Sequence, residues 1–441
     1  MHNRGVITFI PWLNRLLTIG WDPAVRTIRG KALAERGADP EAFALFARAA
    51  RAGLPEARYC LGRCYLLGLG VPPSIGEALR WFLRAAEAGD RDAQTQLGSL
   101  ALQGVSDRDY GALFDVRCAE PDYGRAEYWC RLAGSAEAKA LLALILTAGP
   151  ADRRDQAAGD MLYQQSAEAG WSRGMLGFAT YLLRRGSEGD TEQAAGLLRV
   201  AAADGIAAAY HMLGMLAESG VAGPVDFAGA AASYKEAAEQ GYVAAQVRYG
   251  FALMHGRGVA RDLFGAETWL RRAALAGDAQ AAAVVGYLYV CDGDLPPNLP
   301  EAATWLRRAA EAGHTGAART LGRMLLMGSG VPRDIADAVY WLRMAADGGE
   351  ATARDDLVHL ALTGQAGEDD RRAVVRWLSA DAAAGDPAAQ FIFGLCLAGG
   401  IGIERDEAAA LVRVRQAAEA GHPDAVRMLA EMADRDRCAI G

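Results

Sequence analysis

Apolar residues recur along this chain at helical spacing, in short runs that come in pairs. In residues 242–277 the first run carries Ala245, Tyr249, Gly250 and Leu253. Those offsets fall on one side of a 3.6-residue helix. A loop follows, Gly256-Arg257-Gly258-Val259, and Asp262 stands near the start of a second run. That run holds Ala266, Trp269, Leu270, Ala273 and Ala274, and Gly277 closes it. A glycine there suits a left-handed helix cap. The pattern predicts two helices joined by a short loop.

The pair is repeated. Closing glycines stand at Gly53, Gly89, Gly134, Gly170, Gly205, Gly241, Gly277, Gly313, Gly349, Gly385 and Gly421. Their spacings are 36, 45, 36 and 35 residues, then 36 six times. A fixed period in this range is the signature of a stacked array. The same places fill the same way. A small residue opens the first helix of each unit, as at Ala57, Ala245 and Ala317. Glycine recurs in mid-helix at Gly62, Gly98, Gly214, Gly250, Gly286, Gly322 and Gly394, and Trp in the second helix at Trp81, Trp269, Trp305, Trp341 and Trp377. A mid-helix glycine costs about 1 kcal/mol relative to Ala. Its repetition implies that a bulky neighbour needs the space, and an aromatic of an adjacent second helix is the expected filler. The fold class is all-α, a solenoid of about ten 36-residue units with half-units at both ends.

These residues carry a family resemblance. The pattern A-x3-L-G-x2-Y-x2-G-x-G-V, then E-A-x2-W-x3-A-A-x2-G, resembles the Sel1-like repeat, a relative of the tetratricopeptide repeat. Unit 54–89 shows it with Ala57, Leu61, Gly62, Tyr65, Gly68, Gly70, Val71, Glu77, Ala78, Trp81, Ala85, Ala86 and Gly89. The resemblance covers about 54–421. Units 135–170, 171–205 and 350–385 depart from it, with Ala143, Ala179 and Val358 in place of the glycine. What it implies is a right-handed superhelix of antiparallel helix pairs, serving as an adaptor in bacterial signalling, envelope polysaccharide control or secretion. The domains expected are an apolar segment with a capping half-repeat (1–53), the solenoid (54–421) with a long loop in 104–123, and a C-terminal capping helix (422–441).

Composition narrows the function. The 441 residues carry a formal net charge of −8, where a nucleic-acid binder would carry a basic excess. Seven cysteines, Cys60, Cys64, Cys118, Cys130, Cys291, Cys396 and Cys438, do not follow the repeat. A disulfide framework would pair them at fixed offsets, so a reducing, cytoplasmic setting is expected. Cys60 and Cys64 share a helix face, and packing is the expected role. No two of the six histidines have the i, i+4 spacing of a helical metal pair. No Gly-x-Ser-x-Gly, P-loop or dinucleotide fingerprint occurs. Some cysteine-rich relatives of the family are linked to penicillin binding, but this chain lacks Ser-x-x-Lys and Lys-Thr-Gly. The Gly-x-Gly-Val loops join two helices, so they read as turns rather than phosphate loops. No catalytic residue, metal or cofactor is expected.

Four features bear on partners. Six places before the closing glycine stand Arg199, Lys235, Arg271, Arg307, Arg343 and Arg415, expected opposite the Trp side. Glu239, Glu311, Asp347 and Glu419 follow four residues on, and such pairs neutralise one another on a solvated face. The position after the mid-helix glycine points away from that helix's core side, and helical arrays hold partners on concave surfaces. It reads Arg63, Ser99, Leu144, Thr180, Met215, Phe251, Tyr287, Arg323, His359 and Leu395. Met215, Phe251 and Tyr287 form an expected apolar strip beside Arg323, suited to a protein or peptide; ordinary packing is the alternative. Unit 90–134 is nine residues longer than standard, placing Tyr110, Phe114 and Tyr123 in a loop that either projects towards a partner or folds back. Residues 6–21 are mostly apolar, with Trp12 and Trp21. They either cover the open end of the solenoid or touch a membrane surface, which would place the protein at the periphery of the inner membrane.

Overall fold

The computed structural model describes residues 22–105, 120–290 and 295–440, with side chains described as far as residue 433. Contacts divide the chain into two units, 1–225 and 226–441, each taken by itself. The described residues contain 23 α-helices and no strand.

The first unit runs α1 (Pro23–Ala34), α2 (Asp39–Arg51), α3 (Pro55–Leu67), α4 (Ile75–Glu87), α5 (Arg91–Leu102) and α6 (Tyr123–Ala133). It continues with α7 (Ala136–Ala148), α8 (Gln156–Glu168), α9 (Ser172–Arg185), α10 (Asp190–Ala203) and α11 (Ala207–Ser219). The second unit opens with α12 (Phe227–Glu239), α13 (Val243–His255), α14 (Leu263–Leu275), α15 (Ala279–Val290), α16 (Leu299–Glu311) and α17 (Thr315–Met327). It ends with α18 (Ile335–Asp347), α19 (Ala351–Leu362), α20 (Glu368–Ala383), α21 (Pro387–Gly399), α22 (Glu407–Glu419) and α23 (Pro423–Ile440). Within each unit consecutive helices pack as hairpins, and each hairpin packs on the next. Within each unit the architecture is an α-solenoid.

Local chemistry sets the helix ends. Most second helices begin at an Asp, Ser or Asn whose side chain accepts a backbone N–H three residues on. Asp262 accepts from Gly265 at 2.9 Å and Asp334 from Asp337 at 3.0 Å. Each such cap satisfies an orphan donor and is worth about 1 kcal/mol. The closing glycines all have positive φ; at Gly277 it is 102°. In the Gly-x-Gly-Val loop the second glycine also permits a close approach. A Cβ on Gly258 would lie 2.0 Å from the Phe227 carbonyl oxygen, on the preceding second helix.

The core is a row of small residues and a row of fillers. Ala57, Ala93, Ala138, Ala209, Ala245, Ala281, Ala317 and Ala353 are fully buried. The mid-helix glycines meet a second helix, but the filler corrects the expectation of an aromatic. A Cβ on Gly250 would lie 2.8 Å from Leu270 Cγ, on Gly286 2.7 Å from Leu306, and on Gly322 2.8 Å from Leu342. The filler belongs to the same hairpin and directly follows the Trp. Phe82, at Gly62, is the aromatic exception. One residue is about 100° of helix rotation, so Leu270 enters the hairpin while Trp269 lies to its side, edge-on to Tyr249.

That displaced Trp also corrects the reading of the basic ladder. The Arg271 guanidinium lies 5.3 Å from the Trp305 ring and Arg307 5.6 Å from Trp341, each reaching the Trp of the next hairpin. Arg271 bonds Glu301 at 2.7 Å, Arg307 bonds Asp337 at 3.0 Å and Arg343 bonds Asp370 at 3.2 Å. Those acids stand in the first turn of the next second helix, where the helix dipole favours negative charge. The i, i+4 pairing occurs as well, at Lys235–Glu239 (3.7 Å) and Arg343–Asp347 (3.8 Å). Arg271, Arg307 and Arg343 therefore clasp neighbouring hairpins, while Arg199, Lys235 and Arg415 are exposed as a solvated face requires.

Candidate functional site

The first unit holds a groove of about 590 Å³ lined by α7, α8, α9 and the start of α11. It lies where the repeat departs from its pattern. In α7 the usual glycine is Ala143, and the glycine has moved to the second helix as Gly159. A Cβ there would lie 2.5 Å from the Thr147 methyl and 3.3 Å from the Ala143 carbonyl oxygen. Two further glycines, Gly174 and Gly177, let α9 close on α8. Ser166 fills the space at Gly174, and the Tyr163 ring lies where a Cβ on Gly177 would be, 2.2 Å away. Ser166 is itself tied down, its hydroxyl donating to the Ala136 carbonyl at 2.6 Å. These exchanges bring Tyr163, a second-helix residue, into the groove lining.

The lining is apolar with a few placed polar groups, as ligand grooves are. Leu144 is 46% exposed, high for a leucine within a concavity. Leu141, Leu176 and Ile206 join it, with Tyr163, Trp171 and Tyr181. The Trp171 indole nitrogen is buried and has no hydrogen-bond partner among the described residues. Asp160 is neutralised by Arg184 at 2.5 Å, and that guanidinium also lies 5.7 Å from the Tyr181 ring. Arg173 is exposed and has no ion-pair partner among the described residues. Glu137 is half-buried. Burial pushes its carboxyl above the usual range, against the lowering influence of the Arg173 charge. Burial likewise raises the Tyr163 phenol.

Leu144 and Thr180, at the register expected to face a partner, both line this groove. Met215 belongs to the first unit, and Phe251, Tyr287 and Arg323 to the second. Met215, Phe251 and Tyr287 are half-buried, while Arg323 is exposed. Phe251 stacks on His255 of its own helix at 6.3 Å. Tyr287 reaches the next first helix, edge-on to His314 at 6.4 Å. Tyr110, Phe114 and residues 6–21 lie outside the described residues. Sequence reading missed Trp171, Arg173 and Glu137. The lost glycine at Ala143 and the out-of-place Gly159 were the signal that marked the region.

Other chemistry stays structural. Cys60, Cys64, Cys130 and Cys396 are buried free thiols. Burial pushes Cys60, Cys64 and Cys396 up to about 11 and Cys130 up to about 12. Among the described residues, no group of three or more His, Cys, Asp or Glu is placed to hold a metal ion. No helix among them is long and apolar enough to cross a membrane.

The hairpin stack, its glycine-spaced packing and its inner groove define a protein of the tetratricopeptide-like α-solenoid class. The Sel1 repeat family model matches residues 36–54, 55–90, 91–137, 174–206, 207–242, 243–278, 279–314, 316–350 and 387–422. The chain belongs to the Sel1 repeat family. The unmatched stretch 138–173 is the irregular hairpin that lines the groove. A protective antigen of uropathogenic Escherichia coli with an SLR fold is 26% identical, with a TM-score of 0.58 over 88% of this chain and 82% of that one. A Sel1 repeat protein from Oxalobacter formigenes is 24% identical, with a TM-score of 0.48 over 82% of this chain and 97% of that one. A chitin synthase regulator of the fungus Malassezia restricta is 41% identical over 63 residues, which are 14% of this chain and 4% of the regulator. Proteins of this family generally serve as protein-interaction scaffolds.

Proposed function

We propose that this chain is a non-enzymatic, cytoplasmic adaptor that holds a protein or peptide partner on the inner face of its first helices. The observation that carries this reading is the groove, whose apolar lining holds a Leu144 that is 46% exposed and an exposed Arg173. An apolar anchor point with a charged group in the same lining is what a peptide side chain complements. Leu144→Arg tests it. The residue is half exposed, so the helical circular dichroism is expected to persist while partner capture is lost. Unchanged capture overturns the reading at this groove. Met215 in the first unit, and Phe251, Tyr287 and Arg323 in the second, occupy the same repeat position and are proposed as further contacts, each within its own unit. Phe251→Ser with Tyr287→Ser is expected to abolish capture with the helices intact; loss of the helices instead would assign those residues to packing. Tyr110 and Phe114 are proposed contacts from the long loop.

A second reading keeps the adaptor and places it on a membrane surface, as an assembly or regulatory factor in signalling, envelope polysaccharide control or secretion. The apolar stretch 6–21 with Trp12 and Trp21 favours it, and the local likeness to a chitin synthase regulator is in keeping with it. Flotation with anionic lipid vesicles tests it. Binding that vanishes on removal of residues 1–21 supports surface anchoring, and full recovery in the soluble fraction at low salt overturns it.

A further inference from the structure

We infer that the groove of α7 and α9 selects an extended peptide in which a bulky apolar residue stands beside an acidic one, the apolar side chain seated on Leu144, Leu176 and Tyr163 and the carboxylate on Arg173. The inference rests on the adaptor reading above and names the chemistry of its partner. Four charged groups line the groove: Glu137, Asp160, Arg173 and Arg184. Asp160 and Arg184 cancel each other at 2.5 Å. Of the remaining two, Arg173 is exposed and Glu137 is half-buried. The charge presented at the mouth is therefore a guanidinium, whose planar fork suits a carboxylate.

Glu137 also suits a backbone. It makes no hydrogen bond among the described residues and accepts readily from a peptide N–H. An acceptor and a cation in one apolar lining complement an extended chain better than a helix, whose backbone groups are already paired. A volume of 590 Å³ lies within the range of about 300–1,000 Å³ that takes a ligand of a few side chains.

The test is selection of a random heptapeptide display library on the full-length chain, followed by titration of synthetic winners by fluorescence polarisation. Two variants accompany it, Leu144→Arg and Arg173→Glu. The expected winners place Leu, Met or Phe within two positions of Asp or Glu. Arg173→Glu is expected to weaken them about tenfold or more, a loss equal to one charge-assisted hydrogen bond, and to shift selection towards Lys or Arg. Winners that need Leu144 but ignore Arg173→Glu overturn this inference and leave the adaptor reading standing. A library that yields nothing dependent on Leu144 overturns both.

Discussion

Gly250 and Leu270 divide one space between them. The leucine Cγ sits 2.8 Å from where a Cβ on the glycine would be, and the Ala266 carbonyl is 3.4 Å away. Gly250→Ala should therefore destabilise, although alanine is the better helix former. Overpacking costs about 1–3 kcal/mol, against a propensity gain of about 1 kcal/mol. Thermal melting should show a lowered midpoint, and Gly250→Ala should cost less in a Leu270→Ala background than in the parent. The glycine was legible in the sequence as a packing position; its partner was not, because only helix rotation decides whether Trp269 or Leu270 faces inward. The cysteines make a second residue-scale case. With Cys118, Cys291 and Cys438 replaced by Ser, the buried thiols should resist Ellman's reagent at about pH 8. Their titration near 11 or 12 leaves little thiolate to react. Denaturant should expose all four at once if unfolding is cooperative.

Between elements, the clasp of Arg271 on Glu301 and Trp305 joins two second helices. Arg271→Ala removes ion pairs to Glu267 and Glu301, each about 0.2–1 kcal/mol, and a cation–π contact of about 0.5–1 kcal/mol. The melting midpoint should fall accordingly, and high salt should shrink the difference between variant and parent. Arg271 also gives the junction an acid dependence. Its hydrogen bond, against a smaller opposing effect of burial, holds the Glu301 carboxyl below its usual range. The stabilisation is fully present above the ordinary glutamate value of about 4.3 and is lost as pH falls through the depressed one. Glu301→Gln should flatten that part of the acid limb in melts taken from about pH 7 to pH 3. The arginine ladder was visible in the sequence as a 36-residue rhythm. Its partners, about thirty residues ahead, were hidden because the nearer acids four residues on offered a simpler pairing.

For the whole chain, neighbour-only contacts imply that function is local. Removing one regular repeat, residues 278–313, brings Asp337 into the register of Glu301, so Arg271 finds an acid again. Such a chain should remain helical by circular dichroism and keep its affinity for groove-selected peptides. Removal of 135–170 should abolish that affinity, since α7 and α8 line the groove. Equal loss in both deletions would show the groove to depend on the entire array. The sequence by itself determined the helix pairs, the caps and the array, because periodicity, capping residues and closing glycines act within one repeat or between identical neighbours. Only the tertiary structure decided where the groove lies. Its glycine exchange at Ala143 and Gly159, the Tyr163 ring against Gly177 and the buried Trp171 nitrogen each depend on how unlike helices meet. Sequence spacing records that one glycine is missing and another displaced, while the contact between helices decides what fills the gap.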